Sequence, residues 1–249
     1  MTAFARIAAA LAAALLCPGA GASERPATAQ ALPAPAPPFA THLVGPARLL
    51  KMPSDAARVA RDGDVVEIDA GTYVDCAVWR ASGLTIRAKG GHAHVRDRTC
   101  QGKAIWVIDG NNTTVERIRF SHAAVRDKNG AGIRLSGGSL VVRDSVFEDN
   151  EHGILAGDGP GRTVLIERSR FERNGKCDPD CAHGIYIGRY GSLTVRDSTF
   201  RDQRIGHHIK SRALSTTVTG TTIEDGPAGT ASYLIDIPNG GTVLIARNR

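Results

Sequence analysis

The chain has 249 residues, 42% hydrophobic and only 5% aromatic, with 31 Lys and Arg against 25 Asp and Glu for a formal net charge of +6. That length and apolar share allow one domain with a sizeable core. The mild positive balance favours anionic partners, or merely solubility, and sparse aromatics with no basic stripe between them argue against nucleic acid.

In chain order, Arg6 and the apolar stretch "IAAALAAALL" (7–16) precede Ala20-Gly21-Ala22. A short positive region, an apolar segment too short to span a bilayer and an A-x-A site predict a signal peptide cleaved near Ala22-Ser23. Leu16 stands where a lipobox before Cys17 would need a small residue, which argues against a lipoprotein. Losing Arg6 takes the charge from +6 to +5. The mature protein is therefore expected to be periplasmic or secreted, without a membrane span. Residues 23–45 begin "SERPATAQALPAPAPP" and read as an extended Pro/Ala-rich linker.

The domain proper is expected over 46–249. Pro53-Ser54-Asp55 starts a short helix with Ala56, Ala57, Val59 and Ala60 on its apolar side, followed by the strand "VVEI". Of the four cysteines left after processing, Cys76 and Cys100 lie about one repeat apart, and Cys177 and Cys181 close "CDPDC". In an oxidising compartment these read as the disulfides Cys76–Cys100 and Cys177–Cys181, with a C-x3-C metal site as the competing reading.

From residue 114 onward an internal repeat dominates. "TVERIRFSHA", "VVRDSVFEDN", "LIERSRFERN", "TVRDSTFRDQ" and "TVTGTTIEDG" are alternating strands carrying Phe120, Phe147, Phe171, Phe200 and Ile223, spaced 27, 24, 29 and 23 residues apart. Between them runs a second strand pattern at Ile133, Ile154, Ile185, Ile209 and Ile235. A period in the twenties with two or more strands and no helix predicts an all-β parallel solenoid, its isoleucines and phenylalanines stacked in interior ladders. The leucine-asparagine signature of leucine-rich repeats is absent. "VLIARNR" (243–249) copies the start of "VLIERSRF" and stops before the ladder position, so the chain is expected to be truncated.

These segments, "AARVARDGDVVEIDAGTY" followed by "AIWVIDG", "NGAGIRL", "HGIYIGR", "GHHIKSRA" and "SYLIDIPNGG", resemble the right-handed parallel β-helix, or pectin-lyase-like, superfamily, and in particular exported bacterial β-helix repeat proteins. The resemblance covers residues 50–249 and implies a right-handed parallel β-helix with a short N-terminal helical cap. Relatives include lyases, hydrolases, epimerases and non-catalytic surface proteins, so it does not choose an activity.

With the isoleucines inward, Tyr186, Lys210 and Asp236 face outward in one column, and His208 and Arg212 are expected to project beside Lys210. Gly132, Gly153 and Gly184 are expected to floor the groove in line with His208. Uronate elimination or C5-epimerisation needs a base and a positive group beside the carboxylate. By resemblance, Lys210 is the base, Arg212 the carboxylate clamp, and His208 or Tyr186 the proton donor, with Arg134, Arg189 and Asp236 as further substrate contacts. An Asp236 ion pair argues against Lys210 as a free-amine base. The plain alternative is a solvated cross-strand pair.

His152, His183 and His207 recur two residues before three ladder isoleucines, which reads first as a stacking or turn-bonding ladder and second as a copper or zinc column. Asp178 and Asp180 make Ca2+ conceivable as a cofactor but are too few for a site. "DPD" is similar to the DPHD motif of mannuronan epimerases without its histidine, a departure that lowers that reading. The expected partner is an acidic polysaccharide or envelope glycan, bound by a monomer. The readings carried forward are a protein binding or acting on that polymer, a non-catalytic envelope scaffold, and a periplasmic metal binder.

Overall fold

A computed structural model describes residues 39–177 and 180–249 of the chain. The expected signal peptide, most of the expected linker and Asp178 lie outside the described residues. The linker expected to reach residue 45 ends earlier, because Thr41–Val44 is a strand that pairs in parallel with Val65–Ile68. The edge of the first turn needs hydrogen-bond partners, and this segment supplies them.

About eight right-handed turns stack into a parallel solenoid. Each complete repeat adds a strand to each of three faces. Two faces share one 14-stranded sheet, and the third is a seven-stranded sheet running from Ala77–Trp79 to Tyr233–Asp236. The corners are tight because a single residue in the left-handed region turns the chain. At the corner inside the 14-stranded sheet these residues are Arg117, Asp144, Arg168 and Asp197, with φ between 45° and 56°. Asp accepts that conformation more readily than most side chains, which gives "RDS" its recurrence. The serine that follows is buried, and its hydroxyl serves the neighbouring turn. Ser145 N–H donates to Ser169 Oγ at 3.2 Å, and Ser169 N–H to Ser198 Oγ at 3.1 Å.

The core consists of the expected ladders. Phe120, Phe147, Phe171, Phe200 and Ile223 are in register on one face, with successive phenylalanine rings 5.0, 4.7 and 4.6 Å apart. Ile133, Ile154, Ile185, Ile209 and Ile235 align on the seven-stranded face. The helix Pro53–Val59 buries Pro53 and Ala56, and Asp55 Oδ2 accepts the backbone N–H groups of Lys51 and Met52 at 2.9 Å each. It packs against the first strands of the solenoid as the expected cap. Both disulfides are formed, and Cys76–Cys100 ties adjacent turns with its Cα atoms 5.4 Å apart.

One feature escaped the sequence reading. Glu67, Arg87, Glu116, Arg143, Glu167 and Arg196 stand in register on successive turns, so charge alternates along the outside of one face. Arg87 meets Glu67 at 2.7 Å, and Arg143 reaches Glu167 at 2.7 Å and Glu116 at 3.3 Å. Arg196 also pairs with Glu167. A slip of one whole turn would set like charges side by side, so the ladder favours the native register as well as the native pairing.

Candidate functional site: a groove on the seven-stranded face

Registry places three outward columns on this face. The first reads Ala131, His152, His183, His207 and Tyr233, aligned directly or through the adjacent paired residues. The second reads Val107, Arg134, Leu155, Tyr186, Lys210 and Asp236. Gly157, Gly188 and Arg212 continue beside them. Together with Asn129, Asp158, Asp180, Cys181 and Ser232, the central members enclose a groove of about 610 Å³.

The groove centres on Tyr186. Lys210 on the next turn holds its Nζ 5.4 Å from the Tyr186 ring centroid and 3.6 Å from Asp236. Arg212 donates from Nε to the Tyr186 hydroxyl at 3.0 Å and reaches Asn239 Oδ1 with its other arm. Asp236 also lies 3.3 Å from His207 Nε2. Among the described residues neither Arg134 nor Arg212 has a carboxylate within ion-pair distance. They stand three turns apart, about 14 Å at the spacing of neighbouring strands. Arg189, the remaining sequence candidate, is held on the rim by Asp158, which takes its backbone N–H at 2.9 Å and its guanidinium at 3.2 Å.

Two expectations need correction. His208 does not project beside Lys210 and Arg212. It is fully buried, with its ring edge-on to Phe200 at 6.5 Å and Nε2 3.4 Å from Asp225. The alternation breaks here, since His208 and Ile209 are both buried before Lys210 turns out. Burial lowers the His208 pKa against the pull of Asp225. Nor do the aligned glycines floor the groove. A Cβ on Gly132 would come within 2.8 Å of Phe147, and one on Gly153 within 2.7 Å of Phe171. At this position the residue faces the phenylalanine stack, as the ladder isoleucine after it faces the core, and at Gly132 and Gly153 the rings leave room only for glycine.

The histidine column is a hydrogen-bonded ladder. His152 Nδ1 accepts the His183 N–H, and His183 Nδ1 accepts the His207 N–H, each at 3.0 Å. The His183 and His207 rings stack at 4.7 Å. Burial drives the pKa of His152 down to about 3 and that of His183 to about 2, with neighbouring cationic groups adding to it, and it lowers that of His207. At His152 and His183 a metal on Nε2 would require the ring proton on Nδ1, where it would oppose the backbone N–H already pointing there. The described residues contain no cluster of three or more His, Cys, Asp or Glu side chains arranged for a metal ion. Asp180 is exposed on the groove rim.

Sequence reasoning missed Asn129 and Asp158, which arrive from connecting segments. It also missed Leu155, although the column register that found Tyr186 and Lys210 passes through it.

The architecture and its groove define a right-handed parallel β-helix with one elaborated face. The family described as right handed beta helix region matches residues 54–178, and the chain belongs to it. No curated protein matches the chain. Among solved structures it is similar to ORF18 of Geobacillus virus E2, at 14% identity over 66% of this chain and 36% of that one, with a TM-score of 0.50. It is also similar to a pectin methylesterase in complex with a hexasaccharide, at 11% identity over 78% of this chain and 69% of that one, with a TM-score of 0.43. A third likeness is to the pectin methylesterase of Aspergillus niger, at 8% identity over 86% of each chain, with a TM-score of 0.44. At 14% identity the likeness to the viral protein shows the fold alone. This chain spans about a third of the length of the viral protein.

Proposed function

We propose that this chain is an exported, monomeric β-helix protein that binds an acidic polysaccharide along the groove. The observation that carries this reading is the pair Arg134 and Arg212, guanidinium groups without carboxylate partners among the described residues, set on the outward face to either side of Tyr186. Guanidinium groups suit carboxylates through charge-assisted and bidentate hydrogen bonds. Two disulfides and the N-terminal sequence support export. Among the described residues no helix is long and apolar enough to cross a membrane.

Binding is favoured over proton abstraction because Lys210 is engaged by Asp236 and His208 is out of reach. The Arg212–Tyr186 contact supports a second reading, β-elimination from a uronate. There a base removes the proton at carbon 5, the bond from carbon 4 to the glycosidic oxygen breaks, and Tyr186 protonates the departing oxygen. Calorimetric titration with polygalacturonate and alginate oligosaccharides, followed by ultraviolet absorbance of the same mixtures, tests both. Salt-sensitive binding without new absorbance supports the first reading, and growing absorbance the second. No binding to any acidic polymer overturns both.

A further inference from the structure

We propose that His183 is a fixed-tautomer hydrogen-bond donor to a carboxylate of the bound glycan, an inference that rests on the acidic-polysaccharide reading above. His183 is only 4% exposed, yet it lines the groove. Its Nδ1 lone pair accepts the His207 N–H at 3.0 Å. A neutral imidazole carries one proton, so with Nδ1 accepting, that proton sits on Nε2.

The three histidines differ in what happens next. His152 directs Nε2 to Asn129 Oδ1 at 3.4 Å, and His207 directs Nε2 to Asp236 at 3.3 Å. His183 Nε2 has no acceptor among the described residues. The ring is buried but its Nε2 edge reaches the open groove, so its acceptor comes from there, either solvent or the oxygen of an occupant. The ring stands edge-on to Tyr186 at 5.5 Å, and burial above all holds it neutral, with His152, His207 and Lys210 adding to the effect. Lys210 and Arg134 line the groove with it while Asp158 and Asp180 stand on the rim, so an anionic acceptor, the carboxylate of a uronate residue, is favoured over a plain hydroxyl. The ladder therefore has a use beyond stacking. Each backbone N–H fixes the tautomer of the ring before it, and at His183 that tautomer points a proton at the ligand.

The test uses His183→Asn. The asparagine Oδ1 takes the place of Nδ1 and keeps the backbone bond, while the Nε2 donor is lost. Affinity for the acidic oligosaccharide that wild type binds should fall about tenfold or more, as for a hydrogen bond to a charged group. In 15N-histidine-labelled wild type, the His183 ring should show a protonated Nε2 and a bare Nδ1 at neutral pH. Its Nε2–H resonance should move on titration with that oligosaccharide. Equal binding by the variant, with an unmoved resonance in wild type, overturns the role of His183 and leaves the polysaccharide reading standing. Failure of wild type to bind any acidic oligosaccharide removes that reading itself. If the variant does not fold, the titration of the wild-type ring still decides.

Discussion

Arg212 and Tyr186 meet across one turn of the solenoid, Nε to hydroxyl at 3.0 Å, although 26 residues separate them in sequence. The contact orients a guanidinium that has no carboxylate within ion-pair distance among the described residues, so the pair carries positive charge beside the groove. Arg212→Ala should weaken binding of acidic oligosaccharides about tenfold and flatten its salt dependence, measured by calorimetry at two ionic strengths. Arg212→Lys should recover less than half of the lost binding free energy, because an ammonium lacks the planar fork. A neutral oligosaccharide binding as tightly as the acidic one would contradict the assignment.

Acid stability should report the histidine ladder. His152 and His183 have folded-state pKa values pushed down by burial to about 3 and about 2, below the ordinary value of 6.5. Between those limits the unfolded chain binds more protons, so their contribution is present above pH 6.5 and is lost as pH falls toward the folded values. The melting temperature should therefore start to decline near pH 6.5. Glu167 and Asp149, whose pKa values are lowered in the fold, add their loss only in the carboxylate range. His183→Asn should make the upper part of the decline shallower, and an unchanged slope between pH 6.5 and 5 would count against the ladder as its source.

The phenylalanine stack should be the most sensitive part of the core. Phe147 is fully buried between Phe120 and Phe171, with ring centroids 5.0 and 4.7 Å away. Phe147→Ala should cost about 3–5 kcal/mol in chemical unfolding, through lost burial and the cavity left between the flanking rings. Phe147→Leu should cost about half as much.

Removal of the Glu167 charge should weaken the outer ladder. Its side chain is 2% exposed and faces Arg143 and Arg196 from adjacent turns. Glu167→Gln leaves two guanidinium groups without their shared anion. Those groups are 35% and 53% exposed, so solvent limits the cost to about 1–2 kcal/mol. The loss should shrink as pH falls below the carboxylate range, where wild-type Glu167 also gives up its charge.

Paired serine replacement of Cys76 and Cys100 should cost about 3.5 kcal/mol, the loop-closure entropy of a 24-residue separation. Chemical unfolding of the paired variant against wild type measures it, since a reductant would also open Cys177–Cys181.

The repeat was legible because solenoid order is nearly one-dimensional. Each turn contacts its neighbours, so a ladder in space is a period in sequence, and Phe120 through Ile223 or Ile133 through Ile235 could be found by counting. The same counting placed Tyr186, Lys210 and Asp236 in one outward column, and paired both disulfides. Counting fails where the alternation of a strand breaks. His208 and Ile209 are consecutive and both buried, and only the tertiary structure decides that His208 faces Phe200 and not solvent. The tautomers of the histidine ladder were out of reach for a related reason: they depend on which nitrogen meets a backbone N–H from the next turn, a distance that no spacing encodes. Sequence periodicity thus determined what stacks on what. Tertiary structure alone decided which polar atoms each stack leaves free to face the groove, because that follows from the local bend of the chain and the hydrogen bonds already made.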